Sequence, residues 1–554
     1  MFIGNIKLIA PALYLAFAAA VVLILGVIAG RKPDKGLDHW LPTQYLAPAL
    51  TFPGVVYALW AVLKSLAEAG ETVDALVGSE LVRVPAVALF VTRGGHAQLT
   101  VDPFGAIFTL IAFAGTLIVM LLSLDYFEAR QPHKAEYYSL LMFAAAAVSF
   151  AAVASDLIAI YLSIELLSLA SYVLASFVKT DRRSGEAGLK YFLYGAACSA
   201  VGLYGMSVLF GVTGGSTALS AIARGLTPSA VAGGAAWVGV VFTLVGFGFK
   251  LALVPFQFWA PDVYQGAPTP VTAFLSVVSK AAGLVVLVRF LVTAVFPLPP
   301  EHLSWYWILV VLTAAAMFFG NLVAIPQKNI KRMLAYSSIA QVGYLMIGVL
   351  SALHAFTGEG RLLPGLWNVP NALVRSAAGV VHRASWETPW DMQGVIVYLA
   401  AYLFMNLGAF AVAAGLGRRI RSDAIDDYAG MIHRCPFLAA SLTVFLISLA
   451  GVPPTAGFVG KLFIFGGAIQ AGRSHPELVV LAVLGIINSV ISAYYYLNVV
   501  RVMFFAPANS RPSFKVSFVL NLVVAVCLVG TLGLVFAAGP VVDFISLAVC
   551  SLLD

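Results

Sequence analysis

The sequence predicts an all-α polytopic membrane protein of about fourteen transmembrane helices, with two inverted five-helix repeats and one broken helix in each. Three observations carry this. Of 554 residues, 61% are hydrophobic and only 10% charged, where a soluble domain carries roughly 25% charged residues; mean hydropathy is +0.96. Apolar stretches long enough to cross about 30 Å of hydrocarbon recur fourteen times. Two of these stretches are interrupted by proline, and each interruption has a lysine beside it.

The spans fall near 8–30, 44–67, 103–124, 137–155, 157–178, 187–213, 235–258, 270–297, 304–326, 330–353, 394–417, 436–471, 477–503 and 515–538. The first has no small-residue cleavage site after a charged start and reads as a retained helix. Span 7 runs into Lys250, meets Pro255 about one and a half turns later and is expected to continue as FQFW. The connection PDVYQGAPTP then leads to span 8, which carries Lys280. Span 12 is too long for one straight crossing and contains GVPPTAG at 451–457, with Lys461 just beyond. Proline inside such a helix frees a carbonyl that only protein or a water-filled cavity can satisfy. Matching interruptions in two halves of a chain are a pointer to a transport site. The breaks lie five spans apart, an odd offset that turns one half upside down relative to the other and pairs spans 4–8 with spans 9–13.

Four regions are therefore expected. Residues 1–102 hold two helices and an excursion, and 103–300 hold span 3 and the first repeat. Residues 301–506 hold the second repeat with an insertion at 354–393, and 507–554 the C-terminal helix. Within 68–102, the runs LVRVPAVALFV and HAQLTVD alternate as a small hairpin would. Within the insertion, NALVRSAAGVVHRA would place Leu373, Ala377, Val380, Val381 and Ala384 on one helical face. Trp367, Trp386 and Trp390 flank it, which suits either an interfacial helix that docks a partner or a plain surface loop.

Loops after odd-numbered spans hold 19 of the 32 Lys and Arg, against eight in the N-terminus and the loops after even-numbered spans. By the positive-inside rule both termini face away from the cytoplasm, in a multi-pass protein of the inner (plasma) membrane. The net charge of +7 does not imply nucleic acid, because the basic residues sit between spans. Cys198, Cys435, Cys527 and Cys550 are scattered singly, with no zinc or iron–sulfur spacing and so no expected metal. No phosphate-binding glycine motif follows a strand, so the chain offers no obvious means of binding ATP, NADH or flavin.

Charged residues at bilayer depth are rare and mark function by default. Glu165 sits about eight residues into span 5, and Lys250, Lys280 and Lys461 sit within spans. Each alone could be a buried ion satisfied for structural reasons; together they favour a proton relay. Burial favours release of an ammonium's proton and a nearby carboxylate opposes it, so such groups can change charge near neutral pH as coupled units. Lys190 lies at a span end, four residues after Glu186, and reads equally as a relay member or a snorkelling surface lysine. Lys64 and Arg289 are placed to reach an interface and read as structural, and Asp156 as a cap or loop residue. Tyr336, Ser337, Ser338, Gln341 and Tyr344 make span 10 unusually polar, which suits a water wire or ordinary helix packing.

The stretches YLSIELLSLASYVLASF, EAGLKYFLYGA, GFGFKLALVPFQFWAPDVYQGAPTPVTAFLSVVSKAAG, NIKRMLAYSSIAQVGYL, YLFMNLGAFAV and SLAGVPPTAGFVGKLFIF resemble subunit N of proton-pumping NADH–quinone oxidoreductase, bacterial complex I, in the wider family of antiporter-like membrane subunits. The likeness runs from about residue 100 to 505 in consistent order. It implies two inverted five-helix half-channels around a hydrophilic axis. Glu165 and Lys250 would pair in the first, Lys280 would bridge inward, and Lys461 would serve the second. It also implies no cofactor in this chain, with quinone, NADH, FMN and iron–sulfur clusters handled by partner subunits, and a hetero-oligomer of membrane subunits within the lipid bilayer. The sequence departs from the pattern at Gln341, where relatives often have histidine, and in the insertion 354–393. The function expected is proton translocation coupled to electron transfer from NADH to quinone in partner subunits. The alternatives are a multisubunit cation/proton antiporter subunit and a purely structural membrane subunit.

Overall fold

The computed structural model describes residues 2–30, 46–60, 87–91, 97–127, 134–227, 230, 233–295, 304–355, 374–375, 381–382, 390–473, 475–507, 513–539, 541–542 and 545. Every expected span has a helical counterpart. Spans 1–6 are Phe2–Gly30, Leu46–Trp60, Pro103–Tyr126, Lys134–Val153, Leu157–Ala175 and Arg182–Val212. Span 7 is Ala235–Leu251 followed by the short helix Trp259–Gly266, and span 8 is Thr269–Arg289 with a π-helical end, Phe290–Val295. Spans 9–11 are Ser304–Ala324, Ile330–Ala355 and Trp390–Ile420. Span 12 is split into Pro436–Ala450 and Ala456–Ala471, and Pro476–Phe505 and Phe518–Phe536 complete the set. Ten of these helices are long and apolar enough to cross a membrane unbroken.

The two repeats show themselves in their neighbours. Span 4 packs on 5 as 9 does on 10, 5 on 6 as 10 on 11, and 6 on 7 as 11 on 12. Span 8 touches 4, 5 and 7 as span 13 touches 9, 10 and 12. The repeats meet where span 8 packs on span 11 and the short helix of span 7 packs on span 10. Spans 8 and 10 are buried along their whole apolar length and span 11 nearly so, whereas spans 6, 9, 13 and 14 turn most of theirs outward. The polar line described below runs along that central layer.

Both breaks close the preceding helix in the same way. Ala252 (φ 56°) and Gly451 (φ 87°) take the left-handed conformation, and the next amide reaches back, Leu253 N–H to Gly248 O at 2.9 Å and Val452 N–H to Ile447 O at 3.2 Å. This is the Schellman arrangement, with proline shortly after to stop the helix. One expectation is corrected: the chain does not continue as helix through FQFW. Helix ends at Leu251 because Ala252 turns left-handed, and it resumes at Trp259, so that much of PDVYQGAPTP is itself helical.

The hairpin forms, with Val87–Val91 antiparallel to Ala97–Val101 and Leu89 opposite Leu99; residues 68–86 lie outside the described residues. It delivers Asp102, which caps span 3 by accepting from Gly105 N–H at 2.7 Å. Arg289 does not reach an interface. It is buried, ion-paired to Asp102 at 2.6 Å, and donates from Nε to Ala152 O at 2.7 Å, because a buried guanidinium needs a partner for its charge. Asp156 is a cap, accepting from Ile158 N–H and Thr217 Oγ1. In the insertion, the expected helical face is corrected: Val374–Arg375 pairs antiparallel with Val381–His382, as β-branched valines favour. Leu373, Ala377, Val380, Ala384, Trp367, Trp386 and Lys64 lie outside the described residues.

Candidate functional site

The axis begins on span 5. Glu165 is half-buried in the crevice with span 6, where Ser199 Oγ donates to its Oε2 at 2.8 Å. Lys250, in the last turn of the first half of span 7, is fully buried and donates to Ser168 Oγ at 3.0 Å. Ser168 lies three residues beyond Glu165, so both face one side of span 5. Among the described residues no ion pair within 4.0 Å joins Glu165 to Lys250; each is hydrogen-bonded to a serine hydroxyl instead. Lys250 Nζ also lies 5.8 Å from the Tyr191 ring centre.

Aromatic rings wall this part of the axis. Tyr172 meets Tyr191 edge-on at 4.7 Å, Tyr191 stacks on Trp259 at 4.3 Å, and Trp259 meets Tyr264 at 6.1 Å. The hydroxyls of Tyr172, Tyr191, Tyr264 and Ser279 are buried without a hydrogen-bond partner among the described residues.

From Lys280 the polar groups form two hydrogen-bonded clusters along span 10. Its Nζ donates to Ser338 O at 2.8 Å, and Tyr402 Oη donates to Ser338 Oγ at 2.9 Å. One turn along span 10, Gln341 accepts from Tyr398 Oη and donates to Leu449 O at 3.1 Å and to Tyr496 Oη at 3.3 Å. Tyr496 in turn shares a hydrogen bond with Ser337. Leu449 O also accepts from Lys461 Nζ at 3.0 Å, so Gln341 and Lys461 meet on one carbonyl. The lysine's other hydrogens go to Ala450 O at 3.1 Å and Ser489 Oγ at 3.2 Å. Leu449 and Ala450 are the last residues of a helix, where carbonyls lack intrahelical partners and the dipole favours a cation. Gly451 permits this: a Cβ there would come within 2.9 Å of Lys461 Cδ.

Lys190 sits apart from the axis. It is about half exposed and pairs with Glu186 at 2.7 Å and with Asp262 at 2.8 Å. Asp262 also takes Arg332 Nη1 at 2.6 Å. One carboxylate on the short helix of span 7 thus ties span 6 of the first repeat to span 10 of the second. Sequence reasoning missed Asp262, Ser168, Ser199, Asn406 and the tyrosines Tyr398, Tyr402 and Tyr496 that bond span 10. A signal was present for some of them: Tyr398, Tyr402 and Asn406 recur every four residues on span 11, one face of a helix. Asn406 Nδ2 donates to Ser276 Oγ at 2.7 Å, one turn before Lys280.

A family model described as NADH:quinone oxidoreductase/Mrp antiporter, transmembrane, matches residues 154–360 and 376–492. NADH-quinone oxidoreductase subunit N of Heliobacterium modesticaldum is 40% identical over 462 residues, 83% of this chain and 88% of the relative. The chain belongs to this subunit N family. A chain of respiratory complex I from Thermus thermophilus superposes with a TM-score of 0.67 at 29% identity, covering 95% of this chain and 98% of that one. A chain of the Mrp complex from Dietzia sp. gives 0.74 at 19% identity, covering 99% and 98%, a likeness of fold alone.

Proposed function

We propose that this chain is a membrane-arm subunit of an NADH–quinone oxidoreductase, and that it moves protons along the buried line Glu165–Lys250–Lys280–Lys461. Electron transfer from NADH to quinone, with FMN and iron–sulfur clusters, takes place in partner subunits and drives the movement. The single observation that supports this best is a pair of buried hydrogen-bonded clusters one turn apart on span 10, Lys280–Ser338–Tyr402 and Tyr398–Gln341–Leu449–Lys461, wholly inside an apolar bundle. Polar groups at that depth cost free energy unless bonded to one another or to water, so buried clusters of them in both repeats support a path. The step from Lys250 to Lys280 is assigned to water in this reading.

In this reading residues 103–300 and 301–506 act as the two half-channel units. The basic loops lie in the cytoplasm, and the protein sits in the inner (plasma) membrane with both termini outside. Lys190 is a tie between the repeats and not a proton carrier, since it is held by two carboxylates at the rim. Gln341 does not titrate; it orients the tyrosines while protons pass by hydroxyl and water. An antiporter subunit is the second reading, favoured by the fold likeness to the Mrp complex.

The test is gentle purification with identification of the co-purifying subunits, followed by proton uptake in vesicles. Flavin and iron–sulfur partners, with uptake started by NADH, are expected. Copurification of cation/proton antiporter subunits only, with uptake driven by a sodium gradient and indifferent to NADH, establishes the second reading instead.

A further inference from the structure

Lys461 has no carboxylate within 4.0 Å among the described residues, yet it is 96% buried. Its three hydrogens are taken by two carbonyls and a hydroxyl. On another side its Nζ lies 4.4 Å from the centre of the Tyr344 ring. The face of an aromatic ring attracts a cation through its quadrupole and offers almost nothing to a neutral amine, and the effect is strongest away from water.

The ring is held with unusual care. Asn321 Nδ2 on span 9 donates to Tyr344 Oη at 3.0 Å and to Asn488 Oδ1 on span 13 at 3.2 Å. Asn321 Oδ1 accepts from Tyr495 Oη at 2.9 Å, and Asn488 Nδ2 is bound to Leu484 O at 2.9 Å. Phe465 meets the Tyr344 ring edge-on at 6.1 Å. Asn321, Tyr344 and Asn488 are all fully buried. Neither amide can carry a proton, so this cluster is unsuited to conduction. It fixes the tilt of one ring from three spans.

We propose that Tyr344 is the counter-surface for the Lys461 cation, standing where the first repeat keeps a carboxylate near its lysine, and that Asn321 is the positioning residue that locks the ring in place. This rests on the reading of Lys461 as a relay member. The hydroxyl of Tyr344 serves as the handle by which Asn321 holds the ring; the ring face is the working part.

The experiment uses the assembled complex in proteoliposomes, with proton uptake per electron and quinone reduction measured together and assembly checked by subunit content. Tyr344→Phe and Tyr344→Trp keep a ring face and are expected to stay within about twofold of wild type, while Tyr344→Leu is expected to lose roughly tenfold in proton uptake. Asn321→Leu breaks the same bond that Tyr344→Phe does and is expected to match it. If the leucine variant fails to assemble, Tyr344→Met carries the same comparison with a flexible apolar side chain. Equal loss in the phenylalanine and leucine variants shows that the hydroxyl conducts and overturns the proposal. Normal uptake in Tyr344→Leu, with uptake lost in Lys461→Ala, overturns it while leaving the relay intact. Normal uptake in assembled Lys461→Ala removes the relay reading itself, and the proposal with it.

Discussion

The two repeats close their broken helices with the same backbone bonds but give the freed carbonyls to different donors. In span 7, Phe249 O accepts the indole N–H of Trp259 at 3.0 Å. Lys250 is then left to Ser168, with Glu165 on the same face of span 5. In span 12, Leu449 O and Ala450 O are taken by Lys461 itself. A neutral indole at one break and a lysine at the other make the repeats electrostatically unequal. The first leaves its lysine on a neutral serine hydroxyl, with a carboxylate one turn from that serine on the same helix. The second seats its lysine on a helix end, a fixed source of negative potential. On the proposed relay, the first half is the part that a distant charge movement can switch, and the second is the part that receives.

The sharpest way to break this comparison is to remove the switchable lysine. Lys250→Ala is expected to lower proton uptake by roughly 10²-fold or more in an assembled complex, the scale of a lost proton-transfer group. Lys250→Arg should be nearly as damaging, because guanidinium does not give up its proton. Glu165→Ala should impair uptake while Glu165→Asp retains part of it. The measurement is quinone-coupled proton uptake by vesicles with assembly followed in parallel; a fully assembled Lys250→Ala variant that pumps normally ends the argument for a relay. Next in size is Ser168→Ala. It removes the hydroxyl that Lys250 donates to, a hydrogen bond to a charged group, and should cost about tenfold. Ser489→Ala in the second half should cost less, since Lys461 keeps two carbonyls there. Equal effects of the two serine variants would mean that the halves work alike.

Much of this was legible in the chain because a bilayer forces simple rules on it. Span lengths follow from hydrocarbon thickness, the breaks from Pro255 and GVPPTAG, and the lysines stand out because charge inside a membrane is costly. The partners were not legible. Lys250 meets Ser168 across 82 residues of sequence and Gln341 meets Leu449 across 108, and serines are too common in membrane helices to announce such meetings. The Glu165–Lys250 pair is legible from charge at bilayer depth, but the serine that each of them bonds is not. Lys190 was ambiguous because its local partner, Glu186, is visible at a spacing of four, while Asp262 is 72 residues away. In the insertion, a helical pattern was read from residues whose valines pair as strands.

The tie at the rim gives a smaller effect. If Lys190 only joins the repeats, Lys190→Met leaves the axis untouched and should change proton uptake per electron by less than about twofold, in keeping with the modest worth of exposed ion pairs. A loss as large as that of Lys250→Ala would move Lys190 into the relay and make the first repeat longer than the second.

The smallest effect tests the closures themselves. Gly451 and Ala252 occupy equivalent left-handed positions, but only glycine adopts that conformation freely. At Gly451 a Cβ would also come within 2.9 Å of Lys461 Cδ, so the lysine stem would have to shift. At Ala252 the lysine lies inside the preceding helix and no such conflict arises, so a side chain is tolerated at the cost of strain. Ala252→Gly should relieve about 0.5–1 kcal/mol, part of it offset by the freer unfolded chain. The gain should appear locally, as a two- to five-fold slowing of hydrogen exchange at Leu253 N–H, which is bonded to Gly248 O. Faster exchange there would show that the alanine side chain contributes packing that outweighs its strain. The two breaks would then differ in how they are held shut as well as in what they bind.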